Sequence, residues 1–402
     1  MEDYYNSLKY KYEEFRINQS SLTNIIKKLP NNKSVGEAGI SNEMIKYANS
    51  TSLNSSIREL FESIFSTGVV PKRINIGKLT PIIKNNSQPS NCLKNIRPIT
   101  ISDTISNIFE RYILIGMNEQ IKDNKSQFGF TNNSSTQHAL FTLRETTNYY
   151  IMNKSRIYAC AIDASKAFDK VWRDGLFYKM ISKLNWAYWR ALYGYYNISI
   201  IYIQLDGKKT KEFLTTAGVK QGGPLSPKLY NIYIEELIPS IEKEGLGARV
   251  GKMKISVIVY ADDIMVISPT RIGMEKMIST VHFYMTKWKI KMNLEKTSYM
   301  LFGRARIVDS IVNVEGKIIE KVTVMTYLGV TLDENLNMNN HVLERTKKCM
   351  KSSYSLYNIG IMSNSMDIAT KQYLYKTYCR PTLLYGIEMV PIKEKNDKND
   401  TH

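Results

Sequence analysis

Cysteine and histidine are scarce in this sequence. Its 402 residues hold four of each: Cys92, Cys160, Cys349 and Cys379, and His138, His282, His341 and His402. None of the cysteines forms a Cys-x-x-Cys pair and the histidines are scattered, which excludes a disulfide framework and argues against a zinc site. The thiols are expected to be reduced, in an intracellular protein. Apolar runs of membrane-spanning length are absent, and Met1 to Tyr10 is not a signal peptide. A Walker-type Gly-Lys-Ser/Thr is also missing, which excludes a P-loop ATPase. Acidic residues are outnumbered: 55 Lys+Arg against 37 Asp+Glu leave 55 − 37 = +18. Such an excess suits a polyanion, with nucleic acid the default partner. An anionic membrane surface would need a basic amphipathic helix or an anchor, and neither is found. At 43% hydrophobic, the chain is long enough for two or three subdomains with a real core.

Where acids do occur, two stand side by side in an apolar setting. In Lys254-Ile-Ser-Val-Ile-Val-Tyr-Ala-Asp-Asp-Ile-Met-Val-Ile-Ser268, β-branched runs at Ile255–Val259 and Ile264–Ile267 read as two short buried strands. They predict a tight hairpin at Ala261-Asp262-Asp263. Hairpin turns usually carry Asn-Gly or Asp-Gly. Paired carboxylates in such a place repel each other and are costly to desolvate. Either the turn is solvated or a divalent cation binds there.

A third acid stands at Asp163, where the apolar strand Arg156–Asp163 ends and Ala164-Ser-Lys-Ala-Phe-Asp-Lys-Val-Trp172 begins. A carboxylate at a strand's end can ligate an ion or cap a helix. Three glycines crowd Ala217-Gly-Val-Lys-Gln-Gly-Gly-Pro-Leu-Ser-Pro227, backbone suited to close approach by a phosphate or base. Around these stretches the pattern predicts a polar helix over 1–30, a loop at Asn31–Gly39, and a helix through Ile57, Phe61 and Phe65 that stops at Gly68. Strands are expected at Lys78–Lys84 and Ile96–Ile101, and helices over Ser102–Glu119, after Ser134-Ser-Thr-Gln137, and over Arg173–Leu184. A hairpin over Ile198–Thr216 turns at Asp206-Gly207. After the acidic hairpin come a helix whose Met274, Met277 and Met285 fill core, a loop and strand over Lys291–Phe302, and a hairpin at Glu315-Gly316. Helices near 339–360 and 365–379 and a charged tail from Lys393 complete the chain. No internal repeat or domain linker is evident.

The ordered set Asp163-Ala-Ser-Lys-Ala-Phe168-Asp, Gly218-Val-Lys-Gln-Gly-Gly-Pro-Leu-Ser-Pro227 and Tyr260-Ala-Asp-Asp263 resembles the reverse transcriptases of LINE-type (non-LTR) retrotransposons. Outlying matches are Arg97-Pro-Ile-Thr100, Gln127-Phe-Gly-Phe130, Asn293-Leu-Glu-Lys-Thr297, Phe302-Gly303, Tyr327-Leu-Gly-Val330 and Tyr385-Gly-Ile-Glu388. The resemblance implies an α/β (α+β) right-hand polymerase fold: fingers, a palm of antiparallel sheet backed by helices, and a short helical thumb. The corresponding segments are an N-terminal extension at 1–30, mainly fingers at 31–155, mainly palm at 156–338, thumb-like helices at 339–392 and a disordered tail at 393–402. It implies an RNA-directed DNA polymerase that uses an RNA template, a DNA primer and deoxynucleotides, with two Mg²⁺ ions or Mn²⁺ in their place. Asp163, Asp262 and Asp263 would hold the metals, with the carbonyl of Ala164. Lys84, Arg97, Phe168, Gln221 and Gly222 would meet the nucleotide, Phe168 beneath its sugar, and Lys296 would protonate the leaving pyrophosphate. Tyr327, Leu328 and Gly329 would grip the primer. Lys166 and Asp169 fit the family pattern without an assigned role.

The sequence departs from the family at Ala38, where Asp usually precedes Gly-Ile, which puts the anchoring of that loop in doubt. Neither an endonuclease before the polymerase nor a Cys/His cluster after it is recognised, so a fragment, a truncated copy or a free-standing polymerase is expected. The alternatives are an inactive nucleic-acid-binding derivative and a group II intron-like enzyme; oligomeric state is left open.

Overall fold

The computed structural model describes residues 1–9, 13–48, 50–86, 88–89, 91–164, 167–303 and 311–390. Lys166 and the charged tail from Lys393 lie outside these residues. Among the described residues, no helix is long and apolar enough to cross a membrane. The chain forms two compact units, each assembled from separated stretches. The first comprises Met1–Asn124, Ser165–Glu236 and Met285–Lys291, and the second Lys125–Ala164, Leu237–Tyr284 and Met292–His402.

The first unit is built on a five-stranded sheet ordered Ile96–Ser102, Ile76–Ile83, Ile200–Leu205, Lys208–Lys209, with Phe213–Leu214 also on Ile200–Leu205. The two expected strands pair antiparallel with Ile82 opposite Arg97, and Ile76–Ile83 runs parallel to Ile200–Leu205. The Asp206-Gly207 turn has positive φ at both residues, 48° and 77°, the requirement that favours Asp-Gly. Helix Thr51–Thr67 buries Ile57, Phe61, Ile64 and Phe65 and ends on Gly68 in the left-handed region, where a β-carbon is disfavoured.

Residues 1–30 do not form one polar helix. They form Glu2–Lys9 and Gln19–Lys27, and the second buries Leu22, Ile25 and Ile26. Helix Trp186–Asn197 was not expected between Leu184 and the Asp206-Gly207 hairpin. Its residues from Ala187 to Tyr196 are all buried, so no polar stripe marks its period. The loop at Ala38 is anchored despite the missing acid. Its N–H donates to Asp103 Oδ1 at 2.9 Å, and a β-carbon on Gly36 would lie 2.2 Å from the same oxygen.

The second unit carries a six-stranded sheet ordered Val312–Val314, Lys317–Lys321, Met292–Phe302, Ile157–Ala164, Asp263–Ser268, Val257–Tyr260. Behind it lies a core that includes Leu140 and Leu143 of helix Thr136–Met152 with Met265, Ile267, Met300 and Phe302. Met274, Met277, Ile278 and Val281 are fully buried, which makes them core filler. The run Ile255–Val259 is not one strand. Met253–Ile255 pairs with Ala248–Val250, and Val257–Tyr260 begins after Ser256. Lys291–Phe302 is not loop then strand but a long strand, Met292–Phe302, with a bulge.

A buried ion pair holds the Gly-rich loop in the first unit. Lys220 Nζ lies 3.6 Å from Glu110 Oε1, their side chains 4% and 0% exposed. Lys220 also donates to Tyr195 OH at 2.9 Å, and that hydroxyl donates to Glu110 at 2.7 Å. Burial lowers the Lys220 pKa and the Glu110 carboxylate opposes that shift. Removing one partner strands a charge in the interior, which costs about 3–5 kcal/mol. Lys220→Met is therefore expected to lower the urea midpoint sharply, and Lys220→Met with Glu110→Gln to recover most of the loss. Equal midpoints for the single and double variants would show that the pair is not coupled.

Candidate functional site

The second unit gathers the three acids. Strands Ile157–Ala164 and Asp263–Ser268 pair antiparallel, and their register sets Asp163 directly opposite Asp263. Asp263 in turn pairs with Tyr260, so Ala261 and Asp262 form a two-residue loop. Ala261 has φ 56°, in the region that normally selects glycine at this position of a hairpin turn. Like charges directly opposite one another destabilise a sheet. The effect is visible at Asp263, whose pKa is pushed up to about 6 by burial first and then by Asp262 and Asp163. A divalent cation would relieve that repulsion, and an all-oxygen donor set suits Mg²⁺ or Mn²⁺. Among the described residues, however, no group of three or more His, Cys, Asp or Glu side chains is arranged to hold a metal ion by itself. The acids present a partial set of ligands.

On its other side Asp163 faces Asn293 of strand Met292–Phe302. From there the register jumps: Ser298 is the next pair, opposite Ala161. The extra residues form a bulge closed by Thr297 Oγ1, which donates to the Asn293 carbonyl at 2.8 Å. Lys296 stands exposed on this bulge, beside the Asp163 register position. Bulges commonly re-aim a side chain in this way. Ala164, opposite Met292, is buried.

Strands Val324–Tyr327 and Val330–Asp333 form a hairpin that turns at Leu328 and Gly329, with φ 45° and 75°. The Tyr327 ring belongs to the core at 3% exposure. Alternation in the strand turns it inward, and Leu328 and Gly329 form the tip of the hairpin. Burial and then the Asp263 charge raise the Tyr327 pKa. A clasp built from Tyr385 and His341 holds the tip. Tyr385 OH donates to the Leu328 carbonyl at 2.7 Å. His341 Nε2 donates to the Tyr385 carbonyl at 2.9 Å, while its Nδ1 accepts from Thr331 N–H at 3.3 Å. A β-carbon on Gly386 would lie 2.7 Å from Val330. The signal was Tyr385-Gly386 itself, a glycine fixed after an aromatic.

The first unit gathers the residues expected at the nucleotide. Arg97 pairs with Ile82, and the Lys84 N–H donates to the Asn95 carbonyl at 2.8 Å. Lys84 is thus a diagonal neighbour of Arg97 on the same face, and both are exposed. The Gly-rich loop lies against this strand: Thr100 N–H donates to the Gln221 carbonyl at 2.8 Å. Gly222 has φ 107°, and a β-carbon there would meet the Thr100 carbonyl at 2.9 Å. Phe168 is partly exposed and stacks on Tyr230 at 4.8 Å between ring centres. Its carbonyl accepts from Val219 N–H at 2.9 Å. Phe168 does not open a helix; the next one starts at Arg173. Asp169 gains a role here, since its carboxylate accepts from Gln221 Nε2 at 2.6 Å.

The raised Asp263 pKa has a consequence for stability. Between its usual 3.8 and about 6, the fold holds a proton that the unfolded chain has lost. The stabilisation is complete below the lower value and disappears as pH rises through the upper one. In chelator, Asp263→Asn should therefore melt above wild type at about pH 7.5, with the gap closing near pH 4. Added Mg²⁺ should narrow the gap at the higher pH by stabilising the wild type. A gap independent of pH would remove the repulsion argument.

Residues 82–332 match the family described as Reverse transcriptase (RNA-dependent DNA polymerase). The chain is 25% identical over 395 residues to the probable RNA-directed DNA polymerase from transposon BS of Drosophila melanogaster, covering 95% of this chain and 43% of that protein. It is 24% identical over 387 residues to the RNA-directed DNA polymerase from mobile element jockey of the same species, covering 94% and 42%. The chain thus spans about two fifths of the length of these curated relatives. Among solved structures it is similar to apo telomerase from Candida tropicalis truncated from the C-terminal domain, with a TM-score of 0.44, 14% identity, and coverage of 66% of this chain and 54% of that one. With more than half of its length inside the family match, and with Asp163 and Asp263 set side by side by its strands, this chain belongs to the reverse transcriptase family.

Proposed function

We propose that the chain is an RNA-directed DNA polymerase of the non-LTR retrotransposon type, extending a primer 3′-hydroxyl with deoxynucleotides on an RNA template. The observation that carries this reading is the register that sets Asp163 opposite Asp263, with Asp262 in the adjoining turn. Two carboxylates plus the oxygens of a nucleotide phosphate make the open ligand set that Mg²⁺ favours. Bound there, a pair of ions would supply a more acidic 3′-hydroxyl and charge neutralisation on the leaving phosphate. Asp163 and Asp262 would hold such ions, with the Ala164 carbonyl helping and Asp263 adding negative charge. Lys296, on the bulge that follows Asn293, is assigned as the group that protonates departing pyrophosphate.

Lys84 and Arg97 present two cations on one face of the fingers strands, matched to a triphosphate. Gln221 and Gly222 offer backbone and amide groups to the base or template, and Asp169 fixes the Gln221 side chain. Phe168, braced by Tyr230, is the group against which a 2′-hydroxyl would crowd. The hairpin of Tyr327, Leu328 and Gly329 is assigned to the primer end. The +18 charge supplies the sequence-independent part of duplex binding.

The test is primer extension on an RNA template with Mg²⁺. Asp262→Asn should slow extension by at least about 10³-fold, because several kcal/mol of charge stabilisation are lost. Primer–template affinity should hardly change, and should fall steeply with salt in both proteins. Wild-type binding without extension under any divalent ion would instead identify an inactive nucleic-acid-binding derivative. Sugar choice gives a second measurement. Phe168→Val should raise the ratio of kcat/KM for ribonucleotides to that for deoxyribonucleotides. An unchanged ratio in a folded, active variant would leave Phe168 a packing residue.

A further inference from the structure

The turn that presents Asp262 is an unfavourable one for its sequence. Ala261, not glycine, occupies the positive-φ position, at 56°, and non-glycine residues persist there only where their surroundings over-determine them. The surroundings come from the segment at 126–129. Val259 N–H donates to the Ser126 carbonyl at 2.9 Å, and Phe128 N–H donates to the Val259 carbonyl at 2.7 Å. Gln127 forms a parallel bridge with Val259. Its side chain then reaches the turn. Gln127 Oε1 accepts from Ala261 N–H at 3.3 Å and from Gly129 N–H at 3.0 Å. Two N–H donors converge on this oxygen, which fixes the amide orientation.

Two features show how closely this contact is built. A β-carbon on Gly129 would lie 2.4 Å from Ala261 N, so only glycine lets the segment come this close. Gln127 is 3% exposed, and its Nε2 is buried without a hydrogen-bond partner among the described residues. A buried unpaired amide is unfavourable. An apolar side chain of the same size would avoid that cost, so packing alone does not account for glutamine here.

We propose that Gln127 is a positioning residue for the Ala261-Asp262-Asp263 turn. By accepting the Ala261 N–H it holds the left-handed backbone that aims Asp262, without itself touching substrate or metal. The inference rests on the polymerase reading for its effect on catalysis, but its structural part can be read without any activity.

The experiment compares wild type, Gln127→Met, and Gln127→Met combined with Ala261→Gly. Methionine keeps the volume and removes the orphan amide, but it also takes the acceptor from the Ala261 and Gly129 N–H groups, so the melting temperature of Gln127→Met should fall modestly. Amide hydrogen exchange at Ala261 in the metal-free protein should speed up on the order of tenfold, the loss of about one hydrogen bond. In primer extension, kcat should fall by a similar factor or more, with KM for deoxynucleotide and primer–template affinity held. Glycine at 261 favours the same turn on its own, so the double variant should recover most of kcat; a packing role would give no such rescue. Unchanged exchange at Ala261 in Gln127→Met would overturn the proposal, as would a kcat loss that Ala261→Gly does not relieve. If wild type fails to extend any primer, the exchange result still decides the positioning role, and only the polymerase reading falls.

Discussion

Electrostatic repulsion between carboxylates forced into register is the constraint on which the second unit depends. Asp163 and Asp263 are opposite one another because two apolar strands pair along their whole length, from Asp263 with Asp163 to Ser268 with Tyr158. The buried residues of those strands hold the pairing: Ile162, Cys160, Ile264, Met265, Val266 and Ile267 are all nearly inaccessible. A slip of one residue would turn each of these side chains to the other face. Hydrophobic burial at roughly 25 cal/mol per Å², summed over this set, outweighs the repulsion at one end. The acids are placed by their neighbours and are not self-assembled. A chain that tolerates such an arrangement gains a high negative potential at one strand end, which a cation can use.

Much of this was legible in the sequence, for a physical reason. Strand ends and turns carry chemically distinctive residues, so Asp163, the Asp262-Asp263 pair, the Asp206-Gly207 turn and Gly68 announced themselves in the right places. Helix Trp186–Asn197 was silent because burial on all sides erases the amphipathic period. The strand expected over Ile255–Val259 was misjudged because composition does not reveal that Ser256 interrupts pairing. Tyr327 stands in a motif that resembles a primer grip, and the motif does not disclose that alternation in the strand directs its ring into the core. The bulge that raises Lys296 left no mark beyond a run of polar residues, since register is a property of two strands and not of one.

Loops in both units are fixed by side chains remote in sequence. Asp103 anchors the loop at Ala38, Glu110 receives Lys220 and the Leu225 N–H, and Tyr385 closes over Leu328. In each case one polar side chain satisfies backbone or charge that the loop cannot satisfy internally. These anchors are single residues without local periodicity, so only the folded chain discloses them. They also explain how glycine-rich segments, which lose the most entropy on ordering, come to rest in one conformation.

The order in which the central strands are made has its own consequence. Strand Ile157–Ala164 lies between Asp263–Ser268 and Met292–Phe302, both encoded about a hundred residues or more downstream. At a synthesis rate of about 5–20 residues per second, a nascent chain would carry this apolar strand unpaired for seconds before either neighbour emerges. Non-local pairing of this kind raises contact order and slows folding, and unpaired apolar strands invite association with other chains. The architecture that brings the acids together therefore leaves an apolar strand open to association in the nascent chain until the second half of the sheet arrives.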